Sequence, residues 1–358
     1  MIVDKYYLRP IYFIDSPQQH EGSSARLAGT MLWFAAVELI HRDGKTKTRS
    51  IVPVAQCGTL PDAAKPIFAR LTSARTPLQM GTRTIRLDQP QVMGILNLTP
   101  DSFSDGGKHS DDPAQAATAG IDMCAAGASI IDVGGESTRP GAPTVWEGDE
   151  IKRVQPVIER MASAGIAISA DTRKAAVMLA VLAAGATMIN DVSALLYDEM
   201  ALSIVAACGV PVVLMHAPSQ NNDPHKGGDY EDVLLDVYDW LENRVAEVEA
   251  AGVDRSRIVI DPGIGFGKSL SDNLTIINNL ALFHGIGCPI LFGASRKRMI
   301  GALSNEAEVD ARLGGSLFLA MKAIEQGAQI IRVHDVAETV QAIHVWRGLR
   351  DAALTAAA

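Results

Sequence analysis

Cysteine is scarce: the 358 residues hold four (Cys57, Cys124, Cys208, Cys288), none in a Cys-x-x-Cys or Cys-x-His spacing. That excludes a disulfide framework and a thiolate zinc site, and reads as free thiols in a reducing compartment. Basic excess is absent, with a net charge of -9, which argues against general nucleic-acid or membrane-surface binding. No apolar run approaches the ~18 residues of a membrane span. The start of the chain carries Asp4 and no apolar stretch followed by a small-residue cleavage site. A cytoplasmic protein is the expectation. No Gly-x-Gly-x-x-Gly turn follows the first strand of the repeat described next, so a dinucleotide-binding doubly wound sheet is disfavoured.

What is present is a repeat. From residue 91 onward, a β-branched apolar run ends in polar residues, a helical stretch follows, and the next run begins. Strand candidates are 92–98, 129–134, 166–171, 187–192, 211–216, 258–262, 289–294 and 330–335. Helical stretches fall at 114–126, 149–164, 174–184, 199–207, 230–251, 272–282, 312–326 and 337–354, several closed by a glycine such as Gly127, Gly165 or Gly209. Eight such units over roughly 265 residues predict an α/β fold of the (β/α)8 TIM-barrel type, whose usual size is about 250 residues. Residues 1–90 do not follow the repeat and predict a small α+β appendage. In it, 34–41 and 48–54 flank an Asp43-Gly44 hairpin signal, 62–73 reads as a short helix, and 84–87 as a strand leading into the barrel. Residues 91–358 form the expected catalytic domain.

Reacting groups of such barrels project from the C-terminal strand ends. Those ends carry Asn97, Asp132, Asp171, Asn190, Met215-His216, Asp261, a Ser295-Arg-Lys-Arg298 turn, and Arg332-Val-His-Asp335. Asp171 alone could be a helix cap. Asp171, Asn190, Asp261 and Lys297 around one mouth instead suit a flat heterocycle with an amino-pyrimidinone edge. Arg332 and His334, two apart on one strand, face the same way and neighbour Asn97 across the closed barrel. With Arg139 they read as a diphosphate cradle, with Mg²⁺ bridging phosphate oxygens and the Asn97 carbonyl. The competing reading of Arg332 and His334 is an ion pair with Asp335. The Ser295–Arg298 turn before a short helix at 299–303 is an anion site or, alternatively, a solvated basic turn.

Taken together, Gly94-Ile-Leu-Asn-Leu-Thr-Pro-Asp-Ser-Phe-Ser-Asp-Gly-Gly107, Ile131-Asp-Val-Gly-Gly-Glu-Ser-Thr-Arg-Pro-Gly141, Asp261-Pro-Gly-Ile-Gly-Phe-Gly-Lys268, Ser295-Arg-Lys297 and Arg332-Val-His-Asp335 resemble the dihydropteroate synthase family. The resemblance covers nearly all of residues 91–350. It implies condensation of 6-hydroxymethyl-7,8-dihydropterin diphosphate with 4-aminobenzoate, giving 7,8-dihydropteroate and diphosphate for folate synthesis. By matching position, Asp171, Asn190, Asp261 and Lys297 would hold the pterin, against a wall of Val192, Met215, Phe266 and Gly293. Asn97, Arg139, Arg332 and His334 would hold diphosphate and Mg²⁺. Phe103, Thr138, Pro140, Ser295 and Arg298 would frame the aminobenzoate. Asp101 and Asp105, on a lid spanning residues 99–110, join Asp171, Asp261 and Lys297 as expected catalytic groups. A homodimer through the last helices and sulfonamide inhibition are implied as well. Two positions depart from the family pattern: the 217–228 segment, and Arg298 where some members carry a small hydroxyl residue. A pterin-dependent corrinoid methyltransferase would share the pterin grip but not the diphosphate set. A silent pterin-binding paralogue would lack Asn97, Arg139, Lys297 or His334, all present here.

Overall fold

Strand β7 (Gln91–Asn97) begins a ring of eight parallel strands. It is followed by β8 (Ile130–Gly134), β9 (Ile168–Asp171), β10 (Met188–Asp191), β11 (Val212–Met215), β12 (Ile258–Asp261), β13 (Leu291–Phe292) and β14 (Ile330–Val333). The computed structural model describes residues 4–18, 20–99, 112–139, 141–219 and 223–355. Each strand pairs in parallel with its sequence neighbour, β14 pairs with β7, and an Ile260–Ile290 bridge joins β12 to β13, closing the ring. Helices α2 (Pro113–Ala125), α3 (Glu147–Ser163), α4 (Ala175–Ala183), α5 (Ala201–Cys208), α6 (Val233–Ala250), α7 (Leu270–Asn278), α9 (Leu313–Ile324) and α10 (Val336–Thr355) follow the strands in turn. A short α8 (Arg298–Leu303) is added after β13. The architecture is a (β/α)8 barrel. Among the described residues no helix is long and apolar enough to cross a membrane.

Side chains alternate between the two faces of each strand. The outward set, including Leu96, Val133, Ala170, Leu214, Ile260 and Phe292, joins the helices in the main core. The inward set starts with one apolar residue per strand: Met93, Ile130, Ala167, Met188, Val213, Val259, Leu291 and Ile330. This ring is plugged from below by a hairpin of β5 (Leu78–Met80) and β6 (Arg83–Ile85), through Leu78, Met80, Ile85 and Leu87. The strand expected at 84–87 is thus the second arm of a hairpin that stoppers the barrel.

Before that hairpin, β1 (Asp4–Ile14), β2 (Ala25–Arg26), β3 (Trp33–Asp43) and β4 (Thr46–Pro53) form an antiparallel sheet, followed by α1 (Lys65–Thr72). The expected Asp43-Gly44 turn joins β3 to β4. Strand β1, not foreseen from sequence, pairs along most of β3. This sheet docks on α6 and on the 3-10 segment Leu280–Ile286 that follows α7. Tyr7 packs edge-on to Tyr238, 5.3 Å between centroids, and donates its hydroxyl to Asp239 at 2.9 Å. Lys5, Arg42, Lys47 and Arg70 meet acids of the α6 segment, Asp232 to Glu242. These half-exposed ion pairs orient the docking; apolar burial of Tyr7, Leu8, Phe34 and Val37 in the shared core holds it.

Candidate active site

Counting two residues up each strand from the apolar ring gives the next inward tier: Ile95, Asp132, Ser169, Asn190, Met215, Asp261, Gly293 and Arg332. Two more give Asn97, Gly134, Asp171, Val192, Ala217, Gly263, Ser295 and His334. Nearly every residue expected from the strand ends therefore lands in one mouth because of this period of two. The tiers separate into an apolar wall and a charged floor.

The wall is a buried cluster of Val192, Met215, Ala217 and Phe266. Three of its four members are the expected pterin-wall residues. Lys297 lies on the Phe266 face, Nζ 4.6 Å from the ring centroid, and donates to the Ile264 carbonyl. Burial lowers the Lys297 ammonium to about 8, against the favourable pull of Asp261.

The floor centres on Arg332. Its Nε donates to Asp132 Oδ2 at 2.6 Å and its Nη2 to Asp171 Oδ2 at 2.9 Å. Asn190 Nδ2 donates to the same Asp132 oxygen at 2.9 Å. The competing ion pair with Asp335 is overturned: Asp335 is held by Arg296, through Nε at 3.0 Å. Burial pushes Asp171 up to about 7, with Arg332 opposing and Asp132 adding to the shift. Burial also raises Asp261, although Lys297 and the Gly263 amide, donating at 2.7 Å, favour its charged form.

The remaining expected residues lie on the rim. Asn97 ends β7 half-buried, facing Asp171 across Gly134; a Cβ built on that glycine would sit 3.6 Å from the Asn97 Oδ1 and from the Asp171 Cβ. Among the described residues no set of three or more His, Cys, Asp or Glu could hold a metal. His334 Nδ1 is 3.1 Å from Ser295 Oγ, which also accepts the His334 amide. Burial beside Arg332 and Arg296 pulls His334 down to about 3, so the ring is neutral. Arg139 and Thr138 line a cavity of about 110 Å³ with Glu136, Arg173, Val192 and Asp223. Arg298 opens α8 and is exposed. Asp101, Phe103, Asp105 and Pro140 lie outside the described residues.

Four positions to which the sequence assigns no role of their own take part in the site. Asp132 is, from sequence, only a strand-end residue. Arg296 adopts a left-handed backbone, φ 57°, rare for a side chain of its size. That conformation is braced by the Ser316 hydroxyl on its amide and the Arg312 guanidinium on its carbonyl. It sends Ser295 to His334 and Lys297 to Ile264 from one tight turn. Lys268 ties the 262–267 loop to β11, donating to the Gly263 carbonyl (2.9 Å) and to Nδ1 of His216 (2.9 Å). Burial lowers Lys268 to about 7 and holds His216 well below the usual histidine range. The fourth, His225, bridges two loops by its ring.

Residues 93–334 match the family described as "Pterin binding enzyme". The dihydropteroate synthase of Escherichia coli K12 is 46% identical over 263 residues, covering 73% of this chain and 92% of that protein. The chain belongs to the dihydropteroate synthase family. A probable bifunctional folylpolyglutamate synthase/dihydropteroate synthase of Haloferax volcanii is 45% identical over 268 residues, 74% of this chain but 31% of that longer protein. The structure of the Xanthomonas albilineans dihydropteroate synthase with 4-aminobenzoic acid superposes with a TM-score of 0.72, at 45% identity, covering 77% of this chain and 99% of that one. The two relatives and the solved structure each leave close to a quarter of the chain unmatched; the family match leaves out residues 335–358 and residues 1–92, the latter holding the docked sheet and the barrel stopper.

Proposed function

We propose that this enzyme is a dihydropteroate synthase: it joins 4-aminobenzoate to 6-hydroxymethyl-7,8-dihydropterin diphosphate and releases diphosphate. The observation that carries the reading is the paired construction of one mouth, an apolar wall of Val192, Met215 and Phe266 beside a floor of Asp132, Asp171, Asn190 and Asp261. A flat aminopyrimidinone slides against Phe266, and its N–H groups donate to Asp171 and Asp261 while Asn190 and Lys297 serve its acceptors. Relatives named for this activity support the reading.

The roles follow from charge. Asp132, Asp171 and Asp261 outnumber Arg332 and Lys297, so the floor favours positive charge developing on the pterin as its C–O bond to diphosphate breaks. By matching position Arg139, His334, Arg332 and Asn97 would receive the departing diphosphate. Among the described residues the Asn97 carboxamide offers a hard oxygen there, which would suit Mg²⁺ held mainly by substrate phosphates. When bound, that ion neutralises charge on the departing diphosphate. The aminobenzoate amine then attacks the pterin methylene carbon and loses a proton. The mechanism requires no protein nucleophile. Thr138, Ser295 and Arg298 frame the aminobenzoate, making sulfonamides competitors for that place. We also assign Phe103 and Pro140 to the aminobenzoate site and Asp101 and Asp105 to the catalytic groups. We assign Mg²⁺ as cofactor, a cytoplasmic setting, and a homodimer through the last helices.

The test is turnover. Purified protein with pterin diphosphate, Mg²⁺ and radiolabelled aminobenzoate yields labelled dihydropteroate; folded protein that forms none overturns the proposal.

A further inference from the structure

The loop after β11 departs from the family pattern, and one of its residues does something the motifs do not describe. His225 Nε2 lies 2.7 Å from the Thr138 carbonyl in the loop after β8. Its Nδ1 lies 3.2 Å from the Gly265 carbonyl in the loop after β12. Its ring stacks on Phe266 with centroids 4.7 Å apart and planes 16° from parallel. The His225 amide is itself fixed by the Asp223 side chain at 2.9 Å. One imidazole thus joins three active-site loops. Carbonyl oxygens only accept, so the ring is the donor in whichever of the two bonds is formed.

The loops around it are built for this approach. A Cβ on Gly267 would strike Pro218 at 2.1 Å, and one on Gly228, with φ +97°, would strike the Gly267 carbonyl at 1.9 Å. Both glycines let the β11 loop lie flat against the β12 loop. The 110 Å³ cavity is lined by Thr138 and Arg139 of one tied loop, by Val192 of the wall, and by Asp223 and Pro224, which immediately precede His225.

We infer that His225 is a positioning residue that clasps the Thr138 loop to the pterin wall and thereby sets affinity for aminobenzoate. The inference rests on the proposed synthase reading. Its two attachments are separable. The ring stack acts on Phe266 and so on the pterin side; the bond to Thr138 acts on the aminobenzoate side.

The experiment compares His225→Phe, which keeps the stack and loses the ring's hydrogen bond, with His225→Ala, which loses both the bond and the stack. Hydrogen exchange of the backbone amides at 136–139 is measured alongside steady-state kinetics. The shorter contact, 2.7 Å to the Thr138 carbonyl, is the bond the ring N–H makes, and its loss predicts a rise of up to about tenfold in the aminobenzoate KM for His225→Phe. The pterin diphosphate KM and kcat stay near wild type, and the 136–139 amides exchange faster. His225→Ala raises both KM values. Equal KM increases in His225→Phe, or unchanged exchange at 136–139, overturns the clasp. If the wild-type protein forms no product, the synthase reading fails, and the exchange comparison alone decides whether the clasp exists.

Discussion

Replacing Arg332 with methionine removes the central cation of the floor while keeping much of its volume. Two carboxylates lose a donor: Asp132, fully buried, and Asp171, one-tenth exposed. Asp132 keeps the Asn190 amide, but its other oxygen has no partner among the described residues. Breaking a buried pair by removing one member costs about 3–5 kcal/mol, because the other charge stays behind. The Arg332 side chain is 21% exposed at the mouth, so the lower end, about 3 kcal/mol at pH 8, is expected.

The loss depends on pH, and its sign follows from Asp171. Burial has already raised that acid from 3.8 to about 7. A raised acid costs the folded state nothing below its unfolded pKa; the penalty grows as pH rises between the two values. Losing the guanidinium raises Asp171 further, extending the penalty above pH 7. Urea midpoints therefore drop more for Arg332→Met at pH 8 than at pH 5. Adding Asp171→Asn restores the Asp171 share of the loss at pH 8, since a neutral amide needs no counter-charge, while the Asp132 share remains. Equal losses at both pH values, or no recovery in the double variant, refute the reasoning.

Asp261→Asn weakens binding of a non-reactive pterin analogue by about tenfold or more, as expected when a charged acceptor is lost; unchanged affinity in calorimetry removes Asp261 from the pterin site. Pterin N–H groups favour the carboxylate form of Asp171, so binding at pH 6 releases protons and tightens as pH rises to about 7, then levels off. Calorimetry in two buffers of different ionisation heat reads this directly, and identical heats would sink it. Asn97→Ala shifts the Mg²⁺ concentration for half-maximal turnover upward with little change in pterin analogue binding; an unchanged Mg²⁺ dependence dissociates Asn97 from the metal.

Eight strands and the inward tiers were legible because a parallel barrel repeats one pattern, and the strand ends carry polar residues where a buried run would not tolerate them. Boundaries slipped where side chains cap. The helix expected from 230 starts at Val233 because Asp232 accepts the Leu235 amide. The one expected at 272–282 starts at Leu270 under a Ser269–Asp272 capping box, then tightens into the 3-10 segment Leu280–Ile286. Strand β1 was hidden because its burial does not alternate: Tyr7 and Leu8 are adjacent and both buried, one against α6 and one within the sheet core. His225 had no local signal at all. Its partners, Thr138 and Gly265, are 87 and 40 residues away, so only the tertiary approach of three loops reveals it.

Dividing the inward face by height explains why one sequence can fold firmly and still carry a costly site. The lowest ring is wholly apolar and is sealed by the Leu78–Ile85 hairpin, so the barrel's own packing is completed beneath the chemistry. Above it, three buried carboxylates and two cations sit where a packed core would place valines, and burial has moved Asp171, Asp261 and Lys297 toward their neutral forms. Those shifts mark free energy that folding alone does not recover. A ligand offering N–H donors to the carboxylates and acceptors to Lys297 would recover it on binding. Stability is thus concentrated at the base of the strands and chemistry at their tips, with a period of two letting each strand serve both.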